Sequence, residues 1–457
     1  MDDGDLARYD RARICIDFGT ALSKASICLD PTMPIEVGVK PLPIGGIARA
    51  EHPLLVPSVL YVDAGRMYFG PAALEQARRG VESNRDPLIS FKTVLGATNV
   101  DEALQTKLRP SMDPTGTFRQ RDALVLYIAF LDQLIREAID LAPNVANIVA
   151  NAKRRYTSPV WRPGSGADKT YERIFNEAAA ISQRLGKLFL DPGGISIAQL
   201  KDALDRAAAQ PGNGLLETGI FEPHAAAATA LAFTSAPTRF VLVFDMGAGT
   251  VDMAAFEFDE STEPPALSEL KEARQCSALA GDEIDRILVE LYMRKRGGEK
   301  SREDELKLLR TAILSARDLK RELFTTGKCS LKTGWMATTI RINELMEDQN
   351  FRTYLNALRQ TVAASLARVL DRAEQVNADF VDVVIAGGGA RLPFMVDLIK
   401  SAGTLRPSQV QLRIGPLSPA NPLYTGVDAS LRDIFPQISM SVGGALVEMM
   451  PAAAPAR

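Results

Sequence analysis

The stretch FVLVFDMGAGTVDMAAFEF, residues 240 to 258, contains two apolar runs joined by a glycine-rich turn, with Asp245 and Asp252 on either side of that turn. Apolar runs of this length, bounded by glycines, are typical of two paired and buried strands. Two carboxylates at the tip of a buried hairpin are costly unless a cation or a hydrogen-bond donor meets them, so they indicate a functional site.

The same layout occurs a second time, about half the chain earlier. The segment ARICIDFGTALSKASICL, residues 12 to 29, is an apolar strand that ends in Asp17, followed by a Gly-Thr turn and a second strand. Such a repeat indicates two lobes, each of which begins with a hairpin. Apolar residues at helical spacing, at about 72–82, 121–142, 171–189, 301–326 and 356–376, predict helices between the strands and so a layered α/β fold.

A third glycine-rich element follows in FVDVVIAGGGARLPFMVDLIK, residues 380 to 400. An apolar strand leads into Gly387, Gly388 and Gly389, and a helix comes after them. Consecutive glycines let a flat or anionic ligand approach the backbone, because no Cβ stands in the way. Each glycine element has an ordinary structural alternative, which is a plain turn for the hairpins and a tight strand-to-helix connection for the third element.

Composition narrows the function classes. The chain has 457 residues, 46% of them hydrophobic, and a formal net charge of −3, which predicts no attraction to nucleic acid or to an anionic membrane. The four cysteines are far apart and the chain has only two histidines, so we expect reduced core cysteines and no zinc or redox site. The absence of a long uncharged apolar run predicts a soluble, cytoplasmic protein without a membrane partner.

A metal ion explains the acids at the hairpin tips. Gly247, Gly249 and Thr250 would present backbone N–H groups and a hydroxyl to an anion, whereas neighbouring carboxylates alone would repel it. Mg²⁺ is held through one or two carboxylates and its own waters against phosphate oxygens. The two hairpins therefore predict a site for a magnesium nucleotide, clasped from both sides.

Four segments together resemble a known family. Asp-x-Gly-Thr at 17–20, GIFEPHAAAATAL at 219–231, FDMGAGTVD at 244–252 and VIAGGGARLP at 384–393 are similar to the phosphate, connect and adenosine motifs of the actin-like ATPase superfamily. Within it, the chain most resembles the nucleotide-binding domain of the DnaK-like 70-kDa heat-shock chaperones, over residues 12 to 448. The resemblance implies a two-lobed actin-like (ribonuclease H-like) α/β fold, in which each lobe is a mixed sheet flanked by helices, with peripheral subdomains and no peptide-binding domain.

The resemblance also implies domain bounds. Lobe I would span 12–239, with its core at about 12–50 and 119–239, a peripheral subdomain at about 51–118 and an insertion at 191–214. Lobe II would span 240–448, with its core at about 240–281 and 360–448 and a peripheral subdomain at about 282–359, followed by a flexible tail at 449–457. We predict the insertion to be a helical hairpin or flap. The apolar stripe of Ile197, Leu200 and Leu204 on it either contacts a partner or folds back on the first lobe.

Site roles follow from the matched motif positions. The resemblance implies that Asp17, Glu222 and Asp245 hold Mg²⁺ through water, and that Lys92 and Thr250 act with them on the γ-phosphate. The remaining residues implied to contact ATP or ADP are Gly19, Thr20, Ala21, Gly247, Ala248, Gly249, Asp252, Gly281, Lys320, Arg321, Phe324, Gly387, Gly388, Gly389 and Arg391. For Lys92, a lysine in a loop, a solvated surface position is the alternative.

Some positions depart from the family pattern. Ala21 replaces a threonine, His224 replaces another and is expected to be packed or to cap a helix, and Arg317 and Phe324 replace an acid and a serine beside the base. The resemblance implies a slow Mg-ATP hydrolysing switch, with weak or lost activity possible, that regulates a protein partner or co-chaperone. A filament-forming ATPase and a small-molecule kinase of the same superfamily remain as alternatives. The oligomeric state stays open.

Overall fold

The protein is described by a computed structural model that covers residues 12–30, 33, 38–81, 84–140, 152–158, 166–212, 215–217, 219–233, 239–259, 266–297, 301–334, 336–418 and 429–446. The predicted tail at 449–457 and the last two residues of the predicted insertion lie outside these ranges. In the part of the chain that the structure covers, no helix is both long enough and apolar enough to cross a membrane.

The first half of the chain alternates short strands with helices. Its elements are β1 (Arg13–Asp17), β2 (Leu22–Cys28), β3 (Val39–Pro41), α1 (Ile44–Ile47), β4 (Val56–Pro57), β5 (Val59–Asp63), β6 (Arg66–Phe69), α2 (Gly70–Arg79), β7 (Leu88–Ile89), α3 (Val100–Gln105), α4 (Gln120–Asp140), β8 (Lys153–Ser158), α5 (Gly166–Leu185), β9 (Ile195–Ser196), α6 (Ile197–Ala209), β10 (Ile220–Phe221) and α7 (Glu222–Phe233). Two 3-10 turns, at Phe91–Gly96 and Gly186–Leu190, join some of these elements.

The second half begins with the long hairpin quoted from the sequence. Its elements are β11 (Phe240–Met246), β12 (Val251–Asp259), β13 (Ala266–Ser277), α8 (Gly281–Arg296), α9 (Arg302–Thr326), β14 (Lys328–Thr333), β15 (Met336–Arg341), α10 (Ile342–Glu347), α11 (Gln349–Gln375), β16 (Phe380–Ala386), α12 (Met395–Gly403), β17 (Gln411–Pro416) and α13 (Ala429–Ala445). A 3-10 turn at Gly388–Arg391 follows β16.

The two halves repeat one sheet topology. In the first sheet the order is β3-β2-β1-β8-β10, and in the second it is β13-β12-β11-β16-β17. In both sheets the leading hairpin is antiparallel and the next two strands join in parallel. Every residue of β11 is buried, as expected for a central strand covered on both faces. The repeat predicted from the two acidic hairpins is therefore a repeat of whole sheets.

Helices cover the sheets on both sides. Helix α9 shows why its bounds fall where they do: the Ser301 hydroxyl accepts a hydrogen bond from the N–H of Asp304 at its start, and Gly327, with φ 80°, ends it. A large apolar core lies within each lobe, a third core joins them through α7 and α13, and a small fourth one lies on the peripheral sheet. Helix α13 is close enough to α7 that a Cβ on Gly443 would lie 1.9 Å from the carbonyl oxygen of Ala225.

The predicted insertion is ordered and packed, but it is not a helical hairpin. It forms one short strand and one helix: β9 pairs with β6 at the edge of a four-stranded peripheral sheet, and α6 follows directly. Leu200 is fully buried, while Ile197 and Leu204 pack against the first-lobe core. The stripe therefore folds back on the first lobe. The division into lobes at residues 239 and 240 stays a prediction.

Candidate functional site

A cleft of about 1630 Å³ opens between the two hairpins. Nearly all the residues selected from the sequence lie on its wall, namely Asp17, Gly19, Thr20, Ala21, Lys92, Glu222, Asp245, Gly247, Ala248, Gly249, Thr250, Gly281, Lys320, Arg321, Phe324, Gly387, Gly388, Gly389 and Arg391. Asp252 is buried just behind the wall, with a carboxylate oxygen close to those of Glu222 and Asp245. The three glycine elements thus converge on one space.

The tips of the two hairpins face each other at contact distance. A Cβ added to Gly249 would lie 2.9 Å from the Cγ2 of Thr93 and 3.1 Å from the Cγ2 of Thr20. A Cβ on Gly19 would lie only 2.2 Å from the carbonyl oxygen of Leu22, so the first turn itself requires glycine. A ligand phosphate between the hairpins would meet backbone from both lobes.

Three buried carboxylates cluster at the second hairpin. Each of Glu222, Asp245 and Asp252 offers an oxygen, and these oxygens all lie within 4.8 Å of one another. Asp245 and Asp252 are direct neighbours across the β11–β12 pair, and the Oδ1 atom of each has no hydrogen-bond partner. Buried oxygens of this kind are expensive unless a cation meets them, so the donor set fits a divalent metal ion.

The electrostatics of the cluster agree with this fit. Burial, reinforced by Glu222 and Asp252, raises the pKa of Asp245 well above its usual range. Burial also raises the pKa of Asp252 to about 6, although the Thr250 hydroxyl lowers it by donating to Oδ2 at 2.7 Å. Both pKa values are raised because several carboxylates lie close together in a buried site. A bound cation would lower these pKa values by favouring the ionised carboxylates.

Two lysines enter the same site. Lys92 is buried, and its Nζ donates to the Oε1 of Glu222 at 2.7 Å, so the surface alternative does not describe it. Burial alone would lower the pKa of Lys92, but the carboxylates of Glu222, Asp17 and Asp245 together outweigh burial and raise it. Lys24 lies opposite Asp17 in the β1–β2 pair, and its Nζ is 2.8 Å from the Oδ2 of Asp17.

The glycines after β16 differ in what they allow. Gly387 has φ 73°, and a Cβ there would lie 2.4 Å from the Oδ1 of Asp245, while one on Gly389 would strike the side chain of Met246. These two glycines are needed for the fold as well as for any ligand. A Cβ on Gly388 would meet no atom within 4 Å, so only this glycine faces open cleft.

Helix α9 supplies the opposite wall, but its charged side chains already have partners. Lys320 is 2.8 Å from the Oδ1 of Asp285 and donates to the carbonyl of Gly281 at 2.9 Å. Arg321 reaches Glu51 of the first lobe at 3.0 Å, and Arg317 donates to Ser90 at 3.1 Å. Phe324 is half-buried beside Phe394, with ring centroids 5.7 Å apart, and presents an apolar surface to the cleft.

The sequence analysis did not select Lys24 as a site residue, and it wrongly predicted that Cys276 is in the core. The sequence did indicate the contact of Lys24 with Asp17. Lys24 interrupts the apolar strand after Asp17, and counting residues across the tight turn places Lys24 opposite Asp17. Cys15, Cys28 and Cys329 are buried as expected, whereas Cys276 is exposed on the cleft wall. His224 packs against Phe256, with ring centroids 5.4 Å apart, and burial lowers its pKa.

Comparison with known proteins gives a consistent result. A family model described as Hsp70 protein matches residues 207–411. Chaperone protein DnaK 1 of a Synechococcus species is 25% identical over 460 residues, which cover 95% of this chain and 54% of the relative. Chaperone protein HscA homolog of Paracidovorax citrulli is 25% identical over 346 residues, 75% of this chain and 48% of the relative.

The chain thus spans about half the length of the curated relatives it matches. The repeated sheet topology and these matches confirm the predicted fold class, a two-lobed actin-like α/β fold in which each lobe is a mixed sheet flanked by helices.

Proposed function

The chain is a relative of the Hsp70 chaperones, resembling their nucleotide-binding domain, and from this we propose that it binds Mg-ATP between its lobes and hydrolyses it slowly. One observation carries the proposal. Both acidic hairpins and the glycine element after β16 converge on a single cleft, where three buried carboxylates share one space. The hairpins, the carboxylates and the glycine element are far apart in sequence, yet they line one cleft, where they would contact the phosphates, the metal and the sugar of a nucleotide.

The proposed chemistry assigns a task to each part of the site. Backbone N–H groups around Gly19, Thr20 and Gly247–Thr250 would hold the phosphates, as a nest of amides does. Lys92 and the Thr250 hydroxyl would stabilise the negative charge that develops on the transferred phosphoryl group. A bound Mg²⁺ would neutralise the phosphate oxygens, and Asp245 or Glu222 would orient the attacking water.

Gly388 would border the ribose and base, with Arg391 and Phe324 beside it. Phe324 offers a face on which a base can stack, whereas the charged groups of Lys320 and Arg321 already have protein partners. We therefore propose that the base is held by stacking more than by hydrogen bonds. Stacking is tolerant of base identity, so weak discrimination between ATP and GTP is expected.

We propose that hydrolysis works as a switch read by a protein partner or co-chaperone in the cytoplasm. Helix α9 of the second half reaches across the cleft to Glu51, Asp86 and Ser90, so a change at the phosphates can alter contacts on the outer rim. A filament-forming ATPase and a small-molecule kinase remain the alternatives, but no contact in the described residues favours either.

Single-turnover hydrolysis of γ-labelled ATP tests the proposal. The expected result is slow release of labelled phosphate to water, which EDTA stops. Transfer of label to a small molecule in a metabolite extract would support the kinase, and ATP-dependent sedimentation would support the filament. Clear ATP binding without release of phosphate would contradict the hydrolytic part. Affinity capture of partners with ATP and with ADP then tests the switch.

A further inference from the structure

The two hairpins satisfy their acids in different ways. In the first hairpin, one oxygen of Asp17 accepts a hydrogen bond, and the other has no hydrogen bond but forms an ion pair. Its Oδ1 accepts a hydrogen bond from the Thr157 hydroxyl at 3.1 Å, and its Oδ2 lies 2.8 Å from the Nζ of Lys24. Asp17 is buried, with 1% of its surface exposed.

In the second hairpin, the acids keep free oxygens. The Oδ1 atoms of Asp245 and Asp252 have no hydrogen-bond partner. Both residues are nevertheless buried, with only 5% and 4% of their surface exposed. They stand opposite each other in β11 and β12, with an oxygen of Glu222 close by. Glu222 is already paired, because its Oε1 accepts from Lys92 at 2.7 Å.

The two hairpins differ in the number of carboxylates that are paired with a lysine. Lys24 balances Asp17 and Lys92 balances Glu222, whereas the negative charges of Asp245 and Asp252 have no such counterpart within the cluster. One divalent cation would neutralise both, and carboxylate oxygens are the ligands that Mg²⁺ and Mn²⁺ prefer.

We propose that Lys24 is a built-in counter-ion that removes Asp17 from the cation site, and that a divalent cation binds instead to Asp245 and Asp252, with Glu222 as the third carboxylate. This deepens the proposed function, on which it rests for the role of the cation, and revises the sequence-based expectation that Asp17 holds it. The Lys24 ammonium also lies beside the first turn, 3.3 Å from where a Cβ of Gly19 would be. The first hairpin therefore carries the Lys24 ammonium as a partner for its acid, whereas the acids of the second hairpin have no lysine paired with them in the described residues.

Mn²⁺ binding measured by electron paramagnetic resonance tests this assignment, with the full chain titrated both without nucleotide and with ATP. The same change on the two hairpins gives a matched pair. Asp252→Asn should weaken Mn²⁺ binding at least tenfold, and Asp17→Asn should change it less than threefold. The double variant Lys24→Met/Asp17→Asn, which removes the whole ion pair, should bind Mn²⁺ like the wild type. Should Asp252→Asn not fold, Asp245→Asn carries the same expectation.

Several results would overturn the assignment. These are a loss in Asp17→Asn equal to that in Asp252→Asn, unchanged binding in Asp252→Asn, or no Mn²⁺ binding by the wild type in either condition. The outcome is separable from that of the proposed function. A protein that binds Mn²⁺ through Asp252 but does not bind ATP keeps the cation site and loses the function. If the protein binds ATP and Asp252→Asn does not change Mn²⁺ binding, the proposed ATP binding stands and the cation site assigned here is wrong.

Discussion

Thr250 links the turn of the second hairpin to its acid. Its side chain is exposed in the cleft, and its hydroxyl donates to the Oδ2 of Asp252 at 2.7 Å. A hydroxyl in this place can turn from the carboxylate to a phosphate oxygen without any movement of the backbone. Under the proposed function, its hydroxyl is therefore placed to respond to charge that would develop during hydrolysis.

Replacing Thr250 by Val should lower ATP turnover by roughly one to three orders of magnitude, because one donor to the developing charge is lost. ATP affinity should stay within several-fold, since the backbone N–H groups remain. Thr250→Ser keeps the hydroxyl and is the matched control, expected to retain most of the turnover. Steady-state kinetics with calorimetric binding measure both quantities. Equal turnover in Thr250→Val and wild type would remove Thr250 from the mechanism.

The residues around this threonine differ in how readily the sequence reveals them. Asp245, Asp252 and the glycines stand out because they interrupt apolar runs at a turn. Lys92 and Glu222 could be selected only through the resemblance, and their contact with each other is not readable from either segment, since 130 residues separate them. Lys24 was within reach of sequence reasoning, because strand pairing across one short turn fixes its neighbour.

The insertion shows what can be inferred for a whole element. Its Pro-Gly boundaries and helical stripe predict a helical hairpin or flap, and the structure contains one helix there, α6, rather than a pair. The sequence could not show that β9 joins the peripheral sheet, because a strand of two residues has no periodicity. Nor could it decide between a contact surface and internal packing, since an apolar stripe looks the same in both cases.

Leu200→Ala should destabilise the protein by about 2 to 5 kcal/mol, because a fully buried side chain leaves a cavity against the first-lobe core. The matched control is Lys201→Ala, the next residue on the same helix, whose side chain is 63% exposed. That change should stay within about 0.5 kcal/mol of wild type. Urea unfolding measures both. Wild-type stability in Leu200→Ala would instead mean that the stripe lies free for a partner.

Across the whole molecule, the two halves are tied together at two levels. Behind the cleft, α13 reaches back from the end of the described chain to the first sheet, where Ser441 and Ser26 lie 2.8 Å apart. The N–H of Gly387 also donates to the carbonyl of Pro436 within α13. No pattern in the sequence predicts that α13 packs against the first sheet. The two-lobed fold, in contrast, could be predicted from the repeated hairpins.

At the mouth of the cleft, α9 makes the second tie. Arg310 donates to Asp86 at 3.0 Å and to Asn84, while Leu314 packs against the apolar face of the peripheral sheet. These contacts close the cleft over the site. They must separate if the lobes are to open and release a nucleotide.

Arg310→Ala should speed release of a fluorescent ATP analogue by about two- to fivefold, because one partly exposed ion pair contributes up to about 1 kcal/mol to closure. Arg286→Ala is the matched control, since Arg286 pairs at 2.7 Å with Glu283 on its own helix, α8. Stopped-flow displacement gives both rates. Equal release rates in the two variants would show that this tie does not limit opening.

The central claim is that the space between the two hairpins and the glycine element is a nucleotide site, and Gly388 offers the most direct test of it. A Cβ there meets no protein atom within 4 Å, so the side chain in Gly388→Val starts in open space on the cleft wall. Gly415→Val, in β17 and away from the cleft wall, is equally open and serves as the control.

Isothermal titration calorimetry with ATP and Mg²⁺ is the deciding measurement. We expect saturable binding to wild type and to Gly415→Val within threefold of each other, and a loss of at least a hundredfold in Gly388→Val with an unchanged melting temperature. No binding of ATP or ADP to the wild type, or binding by Gly388→Val as tight as by the wild type, would contradict the central claim.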